Sequence, residues 1–326
     1  MDFILIIRQK LALILILLLV FSGLSGCKQA DIQKNGRHSI VCTVFPQYDW
    51  TRQILGSKAD DMDLVLMLDN KVDLHNFQPS VNDIITVSNC DLFIYVGGIS
   101  DAWADDVLKN AMNKDMIVIN LLDTLGHAAK IEEIIEGMES DEDDDGDDEL
   151  DEHVWLSLKN AATFSVAIAD ALSSLDSENA GEYMSNLSAY TAKLSDLDAR
   201  YQTAVDAAPV KSLLFGDRFP FRYLMDDYGL DYNAAFPGCS AESEASFETV
   251  LFLAAKVDEL GLKTVLVTES SNQSIAKTII NSTIDKNQRI LVLDAMQSVT
   301  KEDIENSVTY LSIMEDNLTI LKEALA

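Results

Sequence analysis

Two of the four histidines in this 326-residue chain stand where a side chain can do chemistry. His75 lies in the loop "DNKVDLHNFQPS", which follows a β-rich run. His153 ends the acidic tract "ESDEDDDGDDELDE", just before an apolar, helix-like segment. Carboxylates occupy comparable places further along. Asp217 follows "KSLLF", Glu269 ends "KTVLVTE", and Asp294 ends "RILVLD". Imidazoles from one half of the chain and carboxylates from the other suit a divalent transition metal held in a cleft. Each residue also has an ordinary structural reading. His75 is then a surface loop residue, and His153 lies near a helix N-terminus, where imidazolium is disfavoured. Asp217 and Asp294 are then helix caps, and Glu269 a first-turn residue. His38 and His127 carry no partner pattern and read as surface residues.

The acidic tract offers a second metal chemistry. Asp141, Asp143, Asp145, Gly146 and Glu152 satisfy the spacing of an EF-hand calcium loop. A run of nearly pure Asp and Glu meets that pattern by composition, and Asp148 stands where such a loop needs an apolar residue. The tract therefore reads as a solvated loop that collects cations electrostatically. Catalytic signatures are missing from the sequence: it has no H-E-x-x-H, no G-x-S-x-G and no Walker loop. The expectation is a protein that is not an enzyme.

The elements that must position these residues alternate in type. Candidate strands at 39–44, 63–68, 91–96 and 116–121 are separated by helices near 47–55, 81–89 and 100–112. Gly56 stops a helix and Gly97-Gly98 turns a strand end. A second series has strands at 211–215, 230–236, 263–268 and 289–293, with helices near 244–260, 271–283 and 301–325. Such alternation marks βαβ units and mainly parallel sheets. In an open α/β sheet ligands bind at the carboxyl ends of the strands, where His75 and the three carboxylates fall. The last helix carries Ile304, Val308, Leu311, Met314, Leu318 and Leu321 on one face.

Between the two series, Tyr183, Leu187, Tyr190, Leu194, Leu197, Tyr201 and Val205 form a single apolar stripe. They predict an uninterrupted helix of about 30 residues, roughly 45 Å long, from near Ser177 to just before Pro209. The domain reading is an N-terminal α/β lobe at 38–176 with its acidic loop at 139–152, a rigid linker helix at 177–208, and a C-terminal α/β lobe at 209–326. A dimeric coiled coil is the alternative for the stripe, but it is short for one and both flanks are α/β.

Compartment and charge narrow the partners. Residues 1–26 have two cations, Arg8 and Lys10, an apolar stretch from Leu11 to Phe21, and small residues after it. This reads as a signal peptide ending in "LSGC", a bacterial lipobox whose Cys27 is lipidated, with 27–37 as the tether. A formal net charge of −30 leaves no basic face for nucleic acid and favours cations near the surface. Cys42, Cys90 and Cys239 are too few for a disulfide framework, and Cys42 and Cys90 read as small core residues.

Taken in order, these segments resemble the zinc- and manganese-binding solute receptors of bacterial ABC importers. "VFPQYDWTRQILG" looks like that family's first strand and helix. "VDLHNFQPSVNDI" is similar to its P-H-x-[YF]-x-P-[ST] segment, and "DEHVWLSLKNA" to its D-P-H-x-W-[LM]-[DS]-P segment. The resemblance makes His75 and His153 metal ligands and Asp294 a carboxylate ligand. It also implies two lobes joined by one rigid helix. At the family's third ligand position this chain has Gly216, in "LLFGDRFPFRYL"; Asp217 is the candidate substitute and Glu269 a further one. The expected function is an extracytoplasmic lipoprotein that captures one ion, zinc first and manganese next, and hands it to a permease as a monomer. A surface metal-dependent hydrolase, and an adhesin or structural lipoprotein without metal, are the alternatives.

Overall fold

Eight short aliphatic strands make two parallel sheets. The computed structural model of the protein describes residues 36–69, 72–139, 149–240 and 244–326. The leader, Cys27 and residues 140–148 of the acidic tract lie outside these. The first sheet contains β1 (Ser39–Cys42), β2 (Asp63–Leu66), β3 (Leu92–Tyr95) and β4 (Ile117–Asn120), in the order 2-1-3-4. The second contains β5 (Ser212–Phe219), β6 (Asp231–Pro237), β7 (Thr264–Val267) and β8 (Arg289–Val292), in the order 6-5-7-8. All pairings are parallel. Central strands such as β3 and β7 are buried at every position, as parallel strands covered on both faces must be, whereas β8 at an edge has no fully buried residue. Each sheet reverses its strand order once, between β1 and β3 and between β5 and β7. Such switch points leave a crevice at the strands' carboxyl ends.

The helices are α1 (Phe45–Leu55), α2 (Val81–Asn89), α3 (Ala102–Lys109), α4 (Leu121–Leu125), α5 (Leu158–Leu175), α6 (Ala180–Asp206), α7 (Arg222–Tyr228), α8 (Phe247–Leu260), α9 (Ser274–Ser282), α10 (Lys301–Glu305) and α11 (Tyr310–Ala324). The predicted stripe is the buried face of α6: all seven residues from Tyr183 to Val205 are buried. The helix has 27 residues and so spans about 40 Å. Buried aromatic and aliphatic side chains of this kind contribute about 1.5–3 kcal/mol each. Directional bonds add to the packing. Asn186 Nδ2 donates to Ile54 O in α1 at 2.9 Å, and Tyr201 OH donates to Met314 O in α11 at 2.6 Å. A single apolar core runs from Ile40, Trp50 and Phe164 through the α6 stripe to Phe215, Leu293 and Tyr310.

Two sequence expectations change. The periodicity from 301 to 325 predicts one helix, but the chain breaks between α10 and α11, with Ser307 at φ 67°. The break serves Tyr310, which is fully buried. Its N donates to Asp49 Oδ2 at 2.9 Å and its OH to Trp155 O at 2.8 Å, while Thr309 caps the new helix through Ser312 N. A continuous helix would forfeit those long-range bonds. The second change concerns β5, which continues to Phe219 through an irregularity between Phe215 and Arg218. Gly216 and Asp217 therefore lie inside a bulged strand rather than in a loop after it.

Candidate metal centre

Local sequence presents each histidine. Leu74 anchors the single turn Leu74–Asn76 in the core, and Asp73 Oδ1 accepts His75 N at 3.0 Å, holding the turn at its start. His153 begins the turn Val154–Leu156, whose three residues are buried, and Trp155 Nε1 donates to Ala295 O at 2.9 Å. Both rings converge. His75 Nε2 and His153 Nε2 lie 3.1 Å apart, close to the bite of about 3.3 Å that two imidazoles take on one tetrahedral zinc.

The outer nitrogens are held by oxygen. His153 Nδ1 lies 2.9 Å from Asp151 Oδ1, which also accepts His153 N at 2.8 Å. A carboxylate only accepts, so Nδ1 carries the proton and Nε2 keeps its lone pair for the cleft. His75 Nδ1 meets Ser100 Oγ at 2.9 Å and Glu152 Oε2 at 3.3 Å. Carboxylates behind imidazoles in this way fix the tautomer and raise the basicity of the facing nitrogen. Two lone pairs aimed at each other across 3.1 Å repel unless a proton or a cation lies between them. Complete burial would lower the affinity of His153 for a proton. The hydrogen bond and charge of Asp151, with Glu132 and Glu152 beyond, outweigh that and raise its pKa above the ordinary value. Glu152 is also a balance: burial raises it, but the bonds from His75 and Ser100 hold it below the usual range.

A third donor comes from the other sheet. Cys239 follows β6, and its sulfur and the two imidazoles offer ligand atoms all within 4.8 Å of one another. Among the described residues this is the group of three or more His, Cys, Asp or Glu that can hold a metal. Cys239 N donates to Glu132 Oε1 at 2.8 Å, which ties its turn to the segment before the acidic tract. At Gly238 a Cβ would lie 2.9 Å from Phe219 O and 3.0 Å from His153 Cε1, so a larger residue would push this turn away from the ring. Burial, then the charges of Glu132, Asp151 and Glu152, push the Cys239 thiol far above its ordinary pKa. A cleft of about 410 Å³ opens on His75, Phe77, Ser100, Glu152 and Cys239, with His153 behind it at 0 % exposure.

The structure brings His75 and His153 together and leaves the three expected carboxylates outside their cluster. Asp217 Oδ1 accepts Arg218 N at 2.9 Å and its Oδ2 accepts Thr268 N and Oγ1, so it braces β5 against β7. Both Glu269 oxygens accept backbone amides, from Ala295 and Gln297. Asp294 Oδ1 accepts Met296 N at 2.7 Å, and burial followed by the charge of Glu269 pushes its carboxyl up to about 7. Gly216 has no side-chain donor, and the packing leaves no room for one: a Cβ there would lie 2.7 Å from Ala276 Cα in α9. Sequence reading does not single out Cys239 or Asp151 as metal-site residues, and it places Glu152 only in the calcium-loop pattern. The strand-end rule applied to β6 finds Cys239, and the acids directly preceding His153 were masked by the tract they end. Engagement of Glu152 by Ser100 N and His75 also removes the twelfth-position carboxylate from the calcium-loop pattern. The other positions of that pattern lie outside the described residues. The His38 side chain reaches the surface, as expected, with its Nδ1 3.5 Å from Asp91 Oδ2. Cys42 and Cys90 are buried thiols, as expected.

A family model described as the periplasmic zinc-uptake complex component A, ZnuA, matches residues 40–324. The chain belongs to the ZnuA family. It is 29% identical over 315 residues to the high-affinity zinc uptake system protein ZnuA of Bacillus subtilis strain 168, covering 95% of this chain and 94% of that protein. It is 26% identical over 323 residues to zinc-binding protein AdcA of Streptococcus pyogenes serotype M18, covering 97% of this chain but 61% of AdcA. This ZnuA-family chain thus spans about three-fifths of the AdcA relatives' length. Among solved structures, the metal-dependent lipoprotein YcdH of Bacillus subtilis superposes with a TM-score of 0.71 at 26% identity, covering 89% of this chain and 99% of that one. Zn(II)-bound AdcA from Streptococcus pneumoniae superposes with a TM-score of 0.70 at 27% identity, covering 89% and 58%. The expected architecture of two parallel-sheet α/β lobes is the architecture of these receptors.

Proposed function

We propose that this chain is the extracytoplasmic receptor of a zinc importer, capturing one Zn²⁺ on His75 and His153 and delivering it to an ABC permease. The observation that carries the reading is the facing pair of Nε2 atoms at 3.1 Å, each ring backed by oxygen on Nδ1. A catalytic zinc site would keep an open position for water with a general base poised beside it. Here Glu152 and Asp151, the acids nearest the rings, are occupied in orienting them. Zinc names among the relatives favour zinc over manganese. Lipidation at Cys27 would hold the receptor at the outer face of the membrane as a monomer, with the cleft open to solvent. Among the described residues no helix is long and apolar enough to cross a membrane.

Elemental analysis of protein purified without added metal, with competition between Zn²⁺ and Mn²⁺, tests the reading. Zinc raises the melting temperature of the native chain by mass action. His75→Ala and His153→Ala abolish that rise, and equal stabilisation of native and both variants overturns the proposal.

A further inference from the structure

We propose that Cys239 is the third metal ligand, supplied as a thiolate by the second sheet, and that it makes the site selective for thiophilic ions. The inference rests on the receptor reading and names the chemical class of its cargo. Three observations support it independently of that reading. The Cys239 sulfur lies within 4.8 Å of a ring nitrogen of each imidazole, and a thiolate and an imidazole on one tetrahedral zinc stand about 3.6 Å apart. The turn that presents it is held where it leaves β6, by Glu132 on Cys239 N and by the close approach of Gly238 to Phe219 O and His153. Finally, among the described residues Asp217, Glu269 and Asp294 are engaged by backbone and side-chain donors of their own half, and none of the three belongs to the cluster.

Among the described residues the other two cysteines, Cys42 in β1 and Cys90 at the end of α2, are fully buried and neither belongs to the cluster. Two imidazoles and a thiolate form a donor set for Zn²⁺, Cd²⁺ or Co²⁺, and a poor one for Mn²⁺, which prefers oxygen. Loading the ion breaks the Cys239 S–H bond and forms a sulfur–metal bond. The proton leaves to solvent and no electron is transferred.

Cobalt is the probe, because its visible bands report tetrahedral coordination and a near-ultraviolet charge-transfer band reports thiolate. Titrating the native protein with Co²⁺ gives both. In Cys239→Ser the visible bands persist, the charge-transfer band disappears, and Zn²⁺ binds at least ~10-fold more weakly, with Cd²⁺ losing more than Mn²⁺. The melting temperature of the metal-free variant reports that it folds. Visible cobalt bands without charge transfer in the native protein overturn the Cys239 proposal and leave the receptor reading standing. The absence of any cobalt or zinc complex overturns both.

Discussion

Arg218 in β5 and Asp73 beside His75 are joined across the cleft: Arg218 Nη2 donates to Asp73 Oδ2 at 2.8 Å, while Asp73 Oδ1 accepts His75 N. One carboxylate thus orders the loop of a candidate ligand and ties it to the opposite sheet. Burial alone would raise the Asp73 pKa, but the charges of His75 and Arg218 and their hydrogen bonds hold it below the usual range. The pair is about four-fifths buried on each side, so screening by water is limited and a broken pair leaves a charge unsatisfied.

Arg218→Ala removes that tie. Zinc should dissociate about 10-fold faster, equivalent to about 1.4 kcal/mol, with a much smaller change in the association rate. Stopped-flow release into a chromophoric chelator measures it. An unchanged release rate would show that the bridge does not hold the loaded site closed.

Asp151 controls His153 from behind, so Asp151→Asn should weaken zinc binding about 10–100-fold while leaving the fold intact. The acidic tract separates into two parts on this basis. Deleting 139–151 removes Asp151 and Glu139, whose N donates to Ala235 O in β6, and should impair both binding and stability. Replacing only 140–148 by a short glycine-serine linker should leave equilibrium affinity within about 3-fold, since electrostatic steering acts on the association rate. Calorimetry on the two deletions separates the outcomes.

Gly216 stands where the resemblance expects a ligand, and Gly216→His should fail to supply one. Its Cβ meets Ala276 Cα, Ala276 Cβ and Val265 Cγ1, all within 3.0 Å. Overpacking of this kind costs about 1–3 kcal/mol. Thermal unfolding should show destabilisation with no gain in zinc affinity; a tighter site would mean that α9 yields.

Asp101, next in sequence to Ser100, sets a pH dependence at the edge of the site. It is 2 % exposed, and its Oδ2 accepts Val96 N and Gly97 N at the turn after β3. Burial pushes its carboxyl up to about 7, against the two backbone bonds that pull it down and with Glu152 adding to the rise. The folded chain therefore holds this proton more tightly than the unfolded one. Its contribution is fully present below about pH 4 and is lost as pH climbs to about 7. Asp101→Asn keeps an acceptor oxygen for both amides and has no proton to lose. Relative to native protein the variant should gain about 2–4 kcal/mol between pH 4 and pH 7. Parallel urea titrations across that window test it, and parallel curves with no divergence refute the assignment.

The sequence by itself determined the strand and helix alternation, the α6 stripe and the two histidines, because periodicity and chain-local turn chemistry are properties of neighbours. A period of three and four residues buries one face of α6 wherever the chain goes, and Asp73 acts on His75 from two residues away. The tertiary structure decided what depends on partners distant in the chain. Asp49 stops a helix before Tyr310 from 261 positions away, which no local pattern encodes. It also gave Asp217, Glu269 and Asp294 hydrogen-bond donors of their own half to accept, and it set Cys239 beside the two imidazoles. A carboxylate at a strand end can brace its sheet or face the cleft, and only the register of β5 against β7 and the packing of α9 on Gly216 choose between them.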